Sequence, residues 1–237
     1  MKKSDQNTFL IIIKKVWKNF LDFIWPQFCL DCHKEGQLFC DNCFHHLEPL
    51  EPNASPWGKN NAFYFEACYV CLDYQDSTVE KLIKHFKYRY LTSLSDVLVQ
   101  ILARQADKIN LPDNTIITNV PLHSRKYRER GFDQTQLLAK KLATTINLPY
   151  KPLLVRIKKT KVQAKLTKVE RQQNVHSAFA LNKKLIQFGD KSTPTILLID
   201  DVATTGATLN EAARVLKDAG FTKIICLVLA KNESLND

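Results

Sequence analysis

The stretch Ile196-Leu197-Leu198-Ile199-Asp200-Asp201-Val202-Ala203-Thr204-Thr205-Gly206-Ala207-Thr208 decides the architecture of this 237-residue chain. Its apolar start, Thr195 to Ile199, suits a buried strand. Leu209 to Ala219 then carries apolar side chains at helical spacing up to Gly220, and Lys223 to Ala230 is a second apolar strand. Strand, helix, strand at this spacing implies a right-handed crossover within a parallel sheet. Between the first strand and the helix, two carboxylates and three threonine hydroxyls flank a glycine. Such a turn presents unpaired backbone N–H groups, the helix dipole adds positive potential, and the hydroxyls donate to anionic oxygens. Gly206 lets the backbone come close to a ligand. The turn therefore suits a sugar phosphate, with Asp200 and Asp201 placed for a ribose diol or a magnesium ion held directly or through water. A Walker-type loop is excluded, because no Gly-Lys-Thr/Ser follows. An acidic strand end before a capped helix, or a phosphate loop of another kind, are the competing readings.

Working outward, Phe63 to Tyr74 is aromatic and β-branched and reads as a strand or hairpin. Ser77 with Glu80 forms a capping-box signature ahead of Val79, Leu82, Ile83, Phe86 and Tyr90 at helical spacing. Leu94, Val97, Leu98, Ile101 and Leu102 mark a further helix, and Thr115 to Val120 a strand closed by Pro121. Asp133 with Gln136 opens a helix through Leu137, Leu138, Leu142 and Ile146 that stops before Pro149. The alternation is that of an α/β fold.

Residues 29–47 read as a separate module. The spacing Cys29-x2-Cys32-x7-Cys40-x2-Cys43 forms two knuckles that offer four thiolates to one tetrahedral ion, and zinc is the natural choice for a closed structural site. His33, His45 and His46 rank below the cysteines because both knuckles are complete without them. Cys68 and Cys71 lie three apart in a strand, hence on opposite faces, and together with Cys226 read as core packing.

Hydrophobic residues make up 45% of the chain and charged residues 24%, enough apolar matter for a core and too much for disorder except at the ends. Lysine and arginine number 34 against 24 acids, and a net charge of +10 favours an anionic partner without choosing which. Residues 1–28 read as an amphipathic helix that packs on its own protein or lies on a membrane surface. Lys14, Lys15, Lys18 and Asp22 break its apolar runs, so no transmembrane segment and no export signal are expected, and the compartment is cytoplasmic. Residues 48–62, rich in Pro, Asn, Ser and Gly, form a linker, and 63–237 the main domain.

Two basic segments stand out. Val120 to Gln134 leaves a strand and enters a helix, with Arg125, Lys126, Arg128 and Arg130 on what reads as a loop at the ligand-binding edge of an open sheet. Residues 156–171 hold Arg156, Lys158, Lys159, Lys161, Lys165, Lys168 and Arg171 against Glu170 alone, and read as a mobile basic loop that closes over an anion. A solvated charged face is the plain reading of both. Lys84 to Tyr90 interleaves cations with aromatics as single-strand binders do, but Phe86 and Tyr90 also fit the buried face of their helix.

The Ile196 to Thr208 run resembles the phosphoribosyl pyrophosphate (PRPP) motif of type I phosphoribosyltransferases, a hydrophobic strand followed by two acids and a Thr/Gly-rich 5′-phosphate loop. Arg130-Gly131-Phe132-Asp133-Gln134, followed by Arg156, Thr160, Gln163, Leu166, Arg171, Asn174, Val175 and Phe179, extends the likeness to the ComF family of competence proteins. That family joins a four-cysteine zinc finger to a phosphoribosyltransferase domain, so the resemblance covers almost the whole chain. Asp133 stands where many members have Asn, and Ala203 where Tyr is common, which leaves the nucleobase side undefined.

The resemblance implies a type I phosphoribosyltransferase fold, a parallel sheet flanked by helices, behind a small N-terminal zinc finger on Cys29, Cys32, Cys40 and Cys43. It assigns Thr204, Thr205, Gly206, Ala207 and Thr208 to the 5′-phosphate, Asp200 and Asp201 to the ribose and to catalysis, and Arg125, Arg128 and Arg130 to the pyrophosphate. Magnesium would accompany PRPP. The implied role is natural transformation and the handling of internalised single-stranded DNA, with Lys158, Lys159, Lys161, Lys165 and Arg171 as nucleic-acid contacts and a DNA-translocating helicase among the partners. Two readings remain open at this stage: a phosphoribosyltransferase acting through an oxocarbenium-like transition state, and a non-enzymatic DNA-binding module that keeps the fold to sense PRPP.

Overall fold

Strand β5, Ile196–Ala203, is paired on both sides and carries the acidic stretch into the middle of a sheet. The computed structural model describes residues 26–47, 49–51, 63–88, 93–157, 177–183 and 193–232. They fall into two compact units, Met1–His46 and Leu47–Asp237. Expectations for residues 1–25 and for most of the 48–62 stretch lie outside the described residues.

The larger unit is built on four strands in the order β1 (Ala67–Asp73), β6 (Ile224–Lys231), β5 and β2 (Ile116–Asn119), every pair parallel. The parallel sheet expected from the strand, helix, strand pattern is therefore present. The central strands read as unbroken apolar runs because both faces are covered. Ile196, Leu198, Ile224, Cys226 and Val228 face helix α6 (Ala207–Asp218) and the antiparallel hairpin of β3 (Leu154–Arg156) and β4 (Phe179–Leu181). Leu197, Ile199, Ile225 and Leu227 alternate to the other face, where helices α3 (Leu94–Asp107) and α5 (Gln134–Thr145) pack together and on the sheet. Cys68 and Cys226 are register partners on adjacent strands and wholly buried, and burial pushes the buried Cys71 thiol above its ordinary range.

Several boundaries differ from the sequence reading, each for a local reason. Strand β5 does not stop at Ile199, because its ladder with β6 continues through Asp200 opposite Val228 and Ala203 opposite Lys231. Helix α2 (Ser77–Tyr88) is capped by Asp76, whose Oδ1 accepts from Thr78 N at 2.7 Å, while Glu80 pairs with Lys84 at 2.8 Å instead of closing a capping box on Ser77. The arginine-rich segment is a short helix, α4 (Ser124–Arg130), and not a loop. His123 Nδ1 accepts from Arg125 N at 3.1 Å at its start, and Gly131 ends it at φ 74°, a left-handed conformation that side chains resist. Asp133 does cap α5 as expected, accepting from Gln136 N at 2.9 Å. Its other oxygen accepts from Leu122 N at 2.9 Å, which ties the start of α5 to the segment leaving β2.

The small unit holds helix α1 (Asp41–His46) and an isolated bridge between Phe28 and Glu35. Leu198 is fully buried at the centre of the larger unit. Leu198→Ala should lower unfolding stability by about 2–5 kcal/mol in urea titration, with an unchanged m-value.

Candidate anion site at the end of strand β5

Asp200 and Asp201 follow each other in a strand, so their side chains leave opposite faces of the sheet. Asp200 lines a recess together with Val202 and the whole turn from Ala203 to Leu209. Asp201 points the other way, and its Oδ1 stands 2.9 Å from the Lys87 ammonium of α2. Each carboxylate also accepts a backbone N–H at the strand end: Asp200 Oδ1 takes Asp201 N at 2.8 Å, and Asp201 Oδ1 takes Val202 N at 2.6 Å.

The turn after β5 has a left-handed glycine and an open helix start. Gly206 sits at φ 74° as the residue before α6, a conformation that costs glycine nothing and a side chain roughly 1–2 kcal/mol. The first turn of α6 has no side-chain cap beyond a long contact from Ala207 N to Thr205 Oγ1 at 3.4 Å, so backbone donors at the positive end of the helix dipole remain for a ligand. Thr204, Thr205 and Thr208 are half-buried around the rim, while Gly206 and Ala207 are buried. The far side of the same helix holds the hairpin: Glu211 accepts Ser177 N at 2.7 Å and is itself gripped by Arg214 at 2.8 Å.

Burial pushes the Asp200 carboxyl up to about 8, the charge of Asp201 adds to the rise, and Lys87 and Arg156 partly oppose it. Arg156 also lies over the Phe179 ring at 5.2 Å.

A model of the phosphoribosyl transferase domain matches residues 134–236, which include the strand, the turn and helix α6. Competence protein F of Haemophilus influenzae is 27% identical over 236 residues, covering 90% of this chain and 99% of that protein. DNA utilization protein YhgH of Salmonella typhimurium is 31% identical over 140 residues, 57% of this chain and 58% of its own. Competence protein ComFC of Bacillus subtilis is 31% identical over 149 residues, 62% of this chain and 56% of its own. The chain thus spans nearly all of the first relative and a little over half the length of the other two. It is a homologue of these competence and DNA utilization proteins. Its larger unit has the type I phosphoribosyltransferase fold, with the acidic strand in the middle of the parallel sheet.

The structure treats the basic residues singled out in the sequence differently from one another. Arg125 is exposed and paired with Glu129 at 2.7 Å, and Arg128 is exposed. Arg130 is 8% exposed, donates to Gln134 Oε1 at 2.9 Å and to the Tyr88 hydroxyl at 3.3 Å, and lies 4.9 Å over the Tyr88 ring. Lys126, one helical turn before Arg130, shares its face of α4. Lys126 is exposed like Arg125 and Arg128, yet partial desolvation of its ammonium and the neighbouring charges of Arg130 and Arg156 hold it below its usual range, with Asp201 opposing and Lys87 adding to the effect. So Lys87 stands on Asp201, Arg156 bears on Asp200, and Lys126 feels Asp201 with Arg130 beside it. A helix hidden in Ser124 to Gly131 was the missed signal: read at 3.6 residues per turn, it separates Arg125 and Arg128 from Lys126 and Arg130. Lys158, Lys159, Lys161, Lys165 and Arg171 lie outside the described residues.

The four N-terminal cysteines do come together, with all four sulfurs within 4.8 Å of one another, and they can hold one metal ion. Burial opposes ionisation of Cys29, but the N–H groups of Cys40, Asp31 and Cys32 and the Cys32 thiol outweigh it and hold Cys29 at about 6. Burial and the surrounding thiols push Cys43 well above its ordinary range. No helix among the described residues is long and apolar enough to cross a membrane.

The shift of Asp200 makes a signed prediction. Its folded value is raised above the unfolded value of about 3.9, so its proton is released first by the unfolded chain, and the native state loses stability as pH rises from about 4 to 8. Asp200→Asn should remove that slope. Urea unfolding should show the variant gaining on the wild type between pH 5 and pH 8, whereas parallel profiles would contradict the burial assigned to this carboxyl.

Proposed function

We propose that this chain is a ComF-family protein that binds PRPP with magnesium at the C-terminal end of β5 and serves the competence and DNA utilization for which its relatives are named. The observation that carries the reading is the Gly206-centred turn, which brings three threonine hydroxyls, uncapped helix donors and the Asp200 carboxylate around one recess. The recess itself, about 10 Å3, has room for roughly one water, so a phosphate would be gripped at its rim. The carboxylate oxygens of Asp201, on the face opposite Asp200, fit a hard divalent ion, which would neutralise the pyrophosphate. Lys126, Arg130 and Arg156 supply the positive side that a departing pyrophosphate needs, and the acids stabilise positive charge developing on the ribose. No covalent nucleophile is required for transfer of phosphoribose to an acceptor. The DNA utilization for which YhgH is named favours DNA as a partner, and the chain's excess of cations suits it.

Calorimetry with PRPP and magnesium should show binding to the wild type, and Asp201→Asn should weaken it roughly ten- to hundredfold, the scale of losing a charge-assisted contact of about 1.5–3 kcal/mol. No heat with the wild type would remove the reading.

The N-terminal cluster fits zinc on the chemistry of its donors. Tetrahedral Zn–S bonds of about 2.3 Å put sulfurs roughly 3.8 Å apart, and the Cys32 and Cys40 sulfurs stand at 3.6 Å. One zinc per chain should be released to a strong chelator and scored with a chromogenic indicator. Cys40→Ser should be purified with most of that zinc missing.

A further inference from the structure

Lys87 has no assigned role in the reading above, yet it makes a well-shielded ion pair on the acids. Its ammonium lies 2.9 Å from Asp201 Oδ1, with the two side chains only 15% and 14% exposed. Water and salt therefore screen this pair less than an ordinary surface pair. Cations stand around the pair: Lys126 feels Arg130, Arg156 and Lys87 as repulsive and Asp201 as attractive. Lys87 also bears on Asp200 beside Arg156. Withdrawn from Asp201, the ammonium would be left among cations, a costly position in a half-buried site unless another anion takes its charge.

We propose that Lys87 is a built-in counter-ion that holds the place of a divalent cation beside Asp201, so that Asp201 takes up a metal ion only together with an anionic ligand. The inference deepens the reading above and rests on its assignment of magnesium to this carboxylate. A divalent ion that arrives alone must either displace the ammonium or settle next to it, against repulsion from several cations. A ligand that brings its own phosphates changes the balance. It gives the ammonium a new partner and leaves Asp201 to the metal. Lys87 is in this sense a positioning residue, since it acts on the ligand through Asp201. It stands in the last turn of α2, none of whose residues lines the recess.

Mn2+ serves as the probe, because it takes oxygen donors as magnesium does, is not selected by the four thiolates, and its free fraction is counted by paramagnetic resonance. With the full chain and no PRPP, Lys87→Met should bind Mn2+ about tenfold or more tighter than the wild type, the scale of removing a like charge a few Å away. Lys87→Arg, which keeps the charge, should stay at the wild-type level. In an Asp201→Asn background the Lys87→Met gain should vanish. Equal Mn2+ affinity in wild type and Lys87→Met would overturn the proposal, as would a gain that survives Asp201→Asn. Lys87→Gln replaces Lys87→Met if the latter does not fold by circular dichroism, with the same expectation. A parallel titration with PRPP tests the underlying reading: wild type should take up Mn2+ far more tightly when PRPP is present. If it does not, the PRPP assignment fails, while a tighter Lys87→Met would still support Lys87 as the counter-ion of a cation site.

Discussion

The parallel ladder between β5 and β6 extends past the last apolar residue of the strand, and the rest of the site follows from that. Because Asp200 and Val202 are still paired with Val228 and Ala230, two consecutive acids are held in extended backbone and must face opposite sides of one sheet. The two carboxylates therefore meet different surroundings. Asp200 faces the recess of the glycine turn and the Arg156 side, where burial and its neighbour hold it protonated to higher pH. Asp201 faces α2 and is matched by an ammonium.

Around that constraint the larger unit divides its labour by face. One face carries α6 and the β3–β4 hairpin, so the helix that presents the anion turn is also the helix that Glu211 and Arg214 lock to Ser177. The opposite face carries α3 and α5, and Asp133 ties the N-terminus of α5 to the chain leaving β2. Helix α4 hangs from this junction between His123 and Gly131, and its Lys126–Arg130 face comes into the electrostatic reach of Asp201. The cationic side of the site is thus built by the packing of one face and the anion turn by the packing of the other.

Much of this was legible in the residues. The apolar runs at 196–199 and 224–230, the glycines at 206 and 220 and the caps at 133 each impose a local geometry that tertiary structure does not override. The parallel sheet and the turn at Gly206 follow from them. What stayed hidden was of two kinds. A strand end is set by its partner's length, and nothing in Asp200-Asp201-Val202 announces that β6 will continue beside it. The short helix α4 carries no apolar stripe, so its period is invisible to a reading based on hydrophobic spacing, and its cations were sorted by proximity in sequence and not by face. Lys87 was hidden for a related reason: it sits in a segment whose aromatic and basic alternation draws attention to Phe86, which is wholly buried and packs edge-on against Phe132.

The distribution of thiols has a practical corollary. Cys68, Cys71 and Cys226 are sealed inside the sheet with no accessible surface, whereas Cys32 is open to solvent and Cys40 half-open. In the intact fold a soluble alkylating reagent meets only the N-terminal knuckles, and an ion bound there would mask those too. The count of modifiable sulfhydryls is therefore a two-level gauge, whose first rise marks an emptied knuckle and whose second marks a breached β-sheet.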